Sequence, residues 1–142
     1  MYNSRISGLG MYVPENIVTN DDLSKIMDTS NEWIIERTGI EERRHIKKGD
    51  GNTTAIMGIK AAKIAIERAG IDKDEIDLII FATLSPDYYF PGGGVLVQEE
   101  LKIKTCPAID IRNQCSGFIY SIATADQFIK SGMYKNILVI GS

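Results

Sequence analysis

The sequence has few of the residues on which metal-binding and disulfide-rich domains depend. Its 142 residues include one histidine and two cysteines. Cys106 and Cys115 are nine positions apart, which fits neither a zinc-ligand pattern nor a CxxC redox pair. We therefore expect two free thiols and no metal or other cofactor, and the reactivity of each thiol becomes a separate question.

The sequence also lacks a long apolar run and a large excess of charge. No stretch approaches the roughly 20 consecutive apolar residues of a membrane span, and the N-terminus has no signal-peptide pattern. The net charge of −3 gives no electrostatic reason to expect a nucleic acid as partner. The one basic cluster, 43–48, directly follows two glutamates and is predicted as a solvated loop. These features predict a cytoplasmic protein that binds neither membranes nor nucleic acids.

Strand-like and helix-like segments alternate along the chain. Strands are predicted over 5–13, 76–84, 106–112 and 136–141. Helices are predicted after the caps Asn20 and Ser30 (the latter ending at Gly39), before Gly70, over 95–101, and over 116–131 before Gly132. This alternation predicts an α/β fold with a mostly parallel sheet layered with helices.

The end of the chain follows directly on a strand-like segment. Gly141 and Ser142 come immediately after a run that is predicted to be a central, buried strand. Complete domains seldom stop at such a point. We therefore expect this chain to be part of a longer protein.

Cys115 is the candidate nucleophile, because "DIRNQCSGFIY" places it where a predicted strand meets the predicted helix 116–131. Backbone N–H groups and the helix dipole favour a thiolate there and can hold an oxyanion. Gly117 would leave space for a substrate. That helix is apolar on most faces, which predicts a buried helix with Cys115 at the inner end of a pocket. The alternative is a small buried cysteine, and the local pattern leaves both open. Cys106 precedes Pro107, with no helix start beside it, and is predicted to be structural.

Four sequence blocks carry a resemblance to a known family. They are "DTSNEWIIERTGIEERR", "FPGGGVLVQ", "QCSGF" and "SGMYKNILVIGS". In order and spacing they resemble β-ketoacyl-acyl-carrier-protein synthase III, a condensing enzyme with the thiolase fold, across all 142 residues. The resemblance implies that residues 1–142 are the N-terminal, nucleophile-bearing half. Its thiolase-like sheet would be truncated after the fourth strand, with the C-terminal half absent from this chain.

The resemblance also implies roles for particular residues. Cys115 would take an acyl group from an acyl-CoA and condense it with malonyl-acyl-carrier-protein by a decarboxylative Claisen condensation, which initiates fatty-acid synthesis. Trp33 and Arg37 would bind coenzyme A, with Thr29 nearby. Their spacing of four agrees with this, since it places both on one helix face. Phe90 would line the acyl pocket. Coenzyme A enters as the substrate thioester, no separate cofactor is implied, and family members are homodimers.

This sequence departs from the family pattern in two places. Gly92-Gly93-Gly94 stands where the family commonly has serine and alanine, which predicts a looser loop. Asn113-Gln114 replaces small residues before the nucleophile. Acetyl-CoA is therefore the default primer, while other primers, including aromatic acyl groups, stay open.

The family's catalytic histidine and asparagine lie in its second half. The single histidine here, His45, lies in the basic cluster, matches no catalytic position and is predicted to be on the surface. We therefore expect this chain to be acylated but not to condense.

Two other functions remain as alternatives. One is a non-catalytic coenzyme A-binding or dimerisation lobe of the same fold. The other is a thiol-redox protein that uses Cys106 and Cys115, against which the spacing and the adjacent Pro107 argue.

Overall fold

The computed structural model describes residues 2–104 and 106–142 and divides the chain into two compact units. The smaller unit comprises residues 13–52, and the larger comprises 2–12 together with 53–142. Within the described part of the chain, no helix is long and apolar enough to cross a membrane.

Ten helices and strands follow one another in the described residues, apart from short 3₁₀ turns. The smaller unit contains β1 (Ile17–Thr19), α1 (Asn20–Ser24), α2 (Asn31–Thr38) and β2 (Glu42–Arg44). The larger unit contains α3 (Thr54–Ala69), β3 (Leu78–Ala82), α4 (Gly93–Leu101), β4 (Ala108–Ile111), α5 (Gly117–Ser131) and β5 (Ile137–Gly141). The last three predicted strands and all five predicted helices are confirmed, with shifted ends.

The larger unit is built around β3, which is buried along its whole length. It pairs in parallel with β4 on one side and with β5 on the other. Its side chains alternate between two cores, because successive strand residues point to opposite faces. Ile79 and Phe81 pack with residues of α3 and α4, while Leu78 and Ile80 pack with Ala125 of α5. The predicted parallel sheet, with a strand covered on both faces, is therefore confirmed.

Four of the predicted helix boundaries are confirmed at the level of backbone geometry. Ser30 caps α2 through a hydrogen bond from the backbone N–H of Trp33 to its side chain. Gly39, Gly70 and Gly132 end their helices in the left-handed conformation, with φ of 70°, 66° and 76°. A residue without Cβ adopts that conformation at little cost, which is why these glycines could be recognised as helix ends.

The predicted strand at 5–13 is wrong. The segment 2–12 pairs with none of the described strands and lies against α3 instead. A Cβ added to Gly8 would come within 2.2 Å of the Ala65 carbonyl oxygen, and one added to Gly10 within 1.9 Å of that of Ala61. An extended segment that packs on a helix has the same apolar alternation as a strand but no ladder of hydrogen bonds, so the pattern alone does not separate the two.

The basic cluster was predicted to be a solvated loop, but its first residues belong to a strand. Glu42–Arg44 forms β2, which pairs antiparallel with β1 so that Val18 faces Arg43. The Arg43 guanidinium donates to the Val18 carbonyl oxygen (3.2 Å) and to Asn20 Oδ1 (2.6 Å). These hydrogen bonds hold a charged segment in place, although its composition alone predicts a solvent-exposed loop. His45, just beyond β2, is exposed as predicted.

Asn20 was predicted to cap α1, but the cap is Thr19. Asn20 is only 1% exposed, and its amide nitrogen donates to Asn31 Oδ1 (3.0 Å) and to the Ile40 carbonyl oxygen (2.8 Å). A buried amide must satisfy both its donors and its acceptor, and these partners, with the Arg43 guanidinium, do so. Asparagine is a common helix cap, and the same side-chain amide can also connect several polar groups at a buried position.

The contact between Gly10 and α3 predicts a specific stability effect. We expect Gly10→Ala to lower the free energy of unfolding by about 1–3 kcal/mol, because the new methyl group meets a backbone carbonyl that cannot move aside. Gly117→Ala is the matched control, since a Cβ there lies at an ordinary 3.4 Å from the Ala82 Cβ on helical backbone. Urea denaturation measures both variants. Equal midpoints for the two would contradict this packing.

Candidate functional site

Cys115 lies in a 3₁₀ turn, Gln114–Ser116, that connects β4 to α5. The turn is closed by the flanking side chains: the Asn113 amide donates to Ser116 Oγ (3.2 Å), and Ser116 Oγ donates to the Asn113 carbonyl oxygen (3.3 Å). The thiol is exposed. Cys115 therefore lies at the predicted junction between a strand and a helix, two residues before the first residue of α5.

The residue before Cys115 has an unusual backbone conformation. Gln114 has φ of 43°, in the left-handed region that residues with a Cβ seldom adopt. Strain of this kind persists only where surrounding contacts hold it, and it concentrates at functional turns. Here the Gly117 N–H donates to the Gln114 carbonyl oxygen, so the strained residue is locked to the start of α5.

The prediction that α5 is a buried helix is wrong for this chain. Its buried positions are the small residues Gly117, Ser121 and Ala125, spaced four apart, while Ile119 is 62% exposed. Small side chains let the helix approach the sheet closely along one narrow stripe. Phe128 is partly buried against the same core, whereas Phe118, Ile119 and Tyr120 are exposed. A Cβ on Gly117 would point at Ala82 and lie at an ordinary 3.4 Å from its Cβ, so close packing does not require this glycine, and its predicted role in leaving space for a substrate stays a prediction.

The carboxyl edge of the sheet places two loops beside each other. The parallel register pairs Ala82 with Ile111, and the Thr83 N–H donates to the Ile111 carbonyl oxygen (3.1 Å). One loop, residues 83–92, is called the aromatic loop here. The other, residues 113–116, is called the nucleophile turn after Cys115, the predicted nucleophile. Cys115 also lines a groove of about 540 Å³ with Thr83–Ser85, Gly8–Gly10 and the free edge of β5. Cys115 is thus both exposed and part of the lining of this groove.

Phe90, predicted to line an acyl pocket, is 92% exposed in the aromatic loop. Its neighbour Tyr89 receives the Arg112 guanidinium on its ring at 4.9 Å from the centroid. Arg112 comes three residues before Cys115, so this cation–π contact connects the aromatic loop to the nucleophile turn. Sequence reasoning did not identify Arg112.

Gly92-Gly93-Gly94 was predicted to form a looser loop, and this prediction is wrong. The three glycines form the start of α4 and pack tightly. The Asp110 carboxylate accepts hydrogen bonds from the backbone N–H groups of Gly93 (2.6 Å) and Gly94 (2.9 Å). A Cβ on Gly93 would lie 2.5 Å from the Phe81 ring. Asp110 was also missed, although an acid inside an otherwise apolar predicted strand is a usable signal for a buried partner.

The residues predicted to bind coenzyme A lie in the smaller unit. Trp33 and Arg37 share a face of α2, with the guanidinium 5.7 Å from the centroid of the Trp33 ring. Trp33 is 55% exposed, so it is available for stacking and is not a core residue. Thr29 precedes α2, and its buried Oγ1 has no hydrogen-bond partner among the described residues. The structure therefore brings Trp33 and Arg37 together as predicted.

The two cysteines differ sharply in environment. Cys106 is buried beside β4 and belongs to the core cluster of α3 and α4. Burial, and secondarily the Asp77 carboxylate, raises the pKa of the Cys106 thiol above its ordinary value. A buried neutral thiol is a poor nucleophile, which supports its structural role.

Comparisons with known proteins agree on one family. The family model of 3-oxoacyl-[acyl-carrier-protein] synthase III matches residues 109–142, the segment from β4 to the end of β5 that contains Cys115. A β-ketoacyl-[acyl-carrier-protein] synthase III from Vibrio vulnificus is 55% identical over 139 residues, which is 98% of this chain and 43% of that protein.

Solved structures extend the similarity to the fold. The 3-oxoacyl-[acyl-carrier-protein] synthase III of Aquifex aeolicus superposes with a TM-score of 0.93 at 52% identity, over 97% of this chain and 44% of that one. This chain is a homologue of β-ketoacyl-[acyl-carrier-protein] synthase III. The priming β-ketosynthase of the R1128 polyketide pathway superposes with a TM-score of 0.92 at 32% identity, over 97% of this chain and 41% of that one. The chain thus has the thiolase-like fold of these synthases and spans less than half of their length.

The contrast between the two thiols predicts their order of alkylation. In the native protein we expect iodoacetamide to modify Cys115 rapidly, because its thiol is exposed, and to spare Cys106, because burial shields it and raises its pKa. Peptide mass spectrometry assigns the modified site. In urea both should react, which is the control. Equal labelling of both cysteines in the native protein would contradict the structure.

Proposed function

We propose that this chain is the N-terminal, nucleophile-bearing part of a synthase III condensing enzyme, and that Cys115 accepts the acyl group. The observation that carries the proposal is the exposed thiol in the turn between β4 and α5. The similarity to synthases III over nearly the whole chain supports it, since the matched family segment includes this turn.

The chemistry of the first step suits this position. The Cys115 thiolate attacks the thioester carbonyl of an acyl-CoA, the carbon–sulfur bond to coenzyme A breaks, and the coenzyme A thiolate leaves. Backbone N–H groups at the start of α5 can stabilise both the thiolate and the oxyanion of the tetrahedral intermediate. The side chain of Ser116 closes the 113–116 turn and does not cap α5.

Trp33, Arg37 and Thr29 are proposed as the coenzyme A-binding residues. An indole ring can stack on adenine, and a guanidinium binds phosphate through directed hydrogen bonds. The support is the shared, exposed face of α2 that carries Trp33 and Arg37. Thr29 is included through the family resemblance alone, since its Oγ1 is buried. Coenzyme A enters as a substrate thioester, and no separate cofactor is proposed.

The second step would use malonyl-acyl-carrier-protein as partner. Loss of CO₂ from the malonyl group generates a carbanion that attacks the Cys115 thioester, which releases the thiolate and forms the β-ketoacyl product. The histidine and asparagine of the family that promote this step belong to its second half, and His45 is exposed beyond β2. We therefore propose that this chain supports acylation but not condensation.

Assembly and location are proposed by the same similarity. The exposed apolar face of α5, including Ile119 and Tyr120, supports a homodimer, because large apolar patches on a surface usually mark an interface. A cytoplasmic location is proposed for an enzyme that uses acyl-CoA and an acyl-carrier protein.

A different primer is the second candidate function. The similarity to the R1128 priming ketosynthase favours a test of larger acyl groups beside acetyl-CoA. The high exposure of Phe90, the residue proposed to line the acyl pocket, leaves its immediate surroundings open in this chain.

Incubation with acetyl-CoA tests the proposed nucleophile. We expect the intact mass to rise by about 42 Da, because an acetyl group replaces the thiol hydrogen of Cys115. The adduct should disappear in Cys115→Ala and persist in Cys106→Ala, the matched control for removal of a thiol. An adduct that survives Cys115→Ala would refute the assignment. No adduct with any acyl-CoA would favour a non-catalytic lobe, and a loss of two protons between the cysteines would favour redox chemistry.

The coenzyme A site predicts a separate effect on affinity. We expect Arg37→Ala and Trp33→Ala each to raise the acyl-CoA concentration for half-maximal acylation roughly tenfold, because phosphate pairing and ring stacking are lost. The maximal rate should change little. Lys63→Ala, which removes a cation from the exposed surface of α3, is the control and should change neither. A fall in maximal rate without a change in half-saturation would reject these residues as ligands.

A further inference from the structure

We infer that Asp87 is a positioning residue that holds the aromatic loop against α3 and thereby sets which acyl chains Cys115 accepts. The selectivity part rests on the proposed function. The holding part rests on contacts within the larger unit alone.

The Asp87 carboxylate occupies the start of α3. Its Oδ1 accepts from the Thr54 backbone N–H (2.8 Å), and its Oδ2 accepts from Thr53 Oγ1 (2.7 Å) and from the Ala55 backbone N–H (2.9 Å). A carboxylate with three donors at the positive end of a 16-residue helix is strongly held. The helix in turn holds the loop a second time, since Thr54 Oγ1 donates to the Ser85 carbonyl oxygen (2.7 Å).

Two further contacts complete the restraint of the aromatic loop. At its C-terminal end, Asp110 accepts from the N–H groups of Gly93 and Gly94. In its middle, Tyr89 contacts the Arg112 guanidinium. Asp87 lies two residues before Tyr89, so its contact with α3 determines where the Tyr89 ring meets Arg112, and through Arg112 how the loop meets the nucleophile turn.

Burial does not hold this loop. Tyr89 is 88% and Phe90 92% exposed, so the apolar free energy that fixes most aromatic side chains contributes little here. The hydrogen bonds of Asp87 therefore carry much of the restraint on the central part of the loop. Because the loop begins beside the turn that carries Cys115, freeing it alters the space next to the thiol and the discrimination between short and long acyl groups.

Limited proteolysis tests the restraint without reference to activity. Chymotrypsin cleaves after aromatic residues and needs a locally unfolded segment. We expect cleavage after Tyr88 and Tyr89 to accelerate roughly tenfold in Asp87→Ala, and less in Asp87→Asn, which keeps one acceptor oxygen. Asp72→Ala, which removes the carboxylate cap of the 3₁₀ turn at Lys73–Glu75, is the control and should leave cleavage in the loop unchanged. Unchanged cleavage in both Asp87 variants would overturn the restraint.

Acylation rates with acetyl-CoA and hexanoyl-CoA then test selectivity. We expect the ratio of the two rates to change at least about fivefold in Asp87→Ala, with an intermediate shift in Asp87→Asn and none in Asp72→Ala. A general loss of stability would lower both rates together and leave the ratio unchanged, and that result would overturn the selectivity role. If Asp87→Ala does not fold, Asp87→Asn decides. If the chain without substitutions takes no acyl group, the proposed function and the selectivity role are both refuted. The proteolysis experiment would still test whether Asp87 restrains the aromatic loop.

Discussion

The burial of β3 on both faces is the constraint on which the larger unit depends. Because Ile79 and Phe81 enter one core and Leu78 and Ile80 the other, α3 and α4 must lie on one side of the sheet and α5 on the opposite side. Parallel pairing with β4 and β5 then brings the carboxyl ends of the strands to one edge. The aromatic loop and the nucleophile turn begin side by side as a result of that pairing.

The backbone N–H groups at the starts of the three helices in this unit have different partners. Asp87 binds the first N–H groups of α3, and Asp110 binds those of α4, each from a distant part of the chain. Among the described residues, no side chain caps α5, and Cys115 lies two residues before its first residue, Gly117. The positive end that binds a carboxylate in α3 and α4 thus has no side-chain partner in α5, which suits the oxyanion of the proposed acyl transfer. The attraction between a negative charge and the positive end of a helix therefore contributes to stability at α3 and α4, and to the proposed chemistry at α5.

Glycine makes these close approaches possible, and it was the residue whose role was hardest to predict. Gly93 appeared to loosen a loop, yet its missing Cβ lets α4 contact the Phe81 ring. Gly10 appeared to be part of a strand, yet it lets an extended segment lie on α3. Gly39 and Gly70, by contrast, were correctly predicted as helix ends, because that role follows from local backbone geometry. Close packing involves atoms distant in sequence, which no local pattern contains.

The sequence alone determined the α/β class, the parallel sheet, most helix ends, the position of Cys115 at the β4–α5 junction and the pairing of Trp33 with Arg37. These depend on periodicity, caps and short spacings, which are local. Only the tertiary structure decided that residues 2–12 are not a strand, that the fully buried positions of α5 are its small residues, and that Asn20 is a buried junction. It also decided that Asp87 and Asp110 bind the starts of α3 and α4 and that Arg112 contacts Tyr89. Those outcomes depend on which surfaces meet across tens of residues. That meeting is decided by the competition among possible partners for burial and hydrogen bonds.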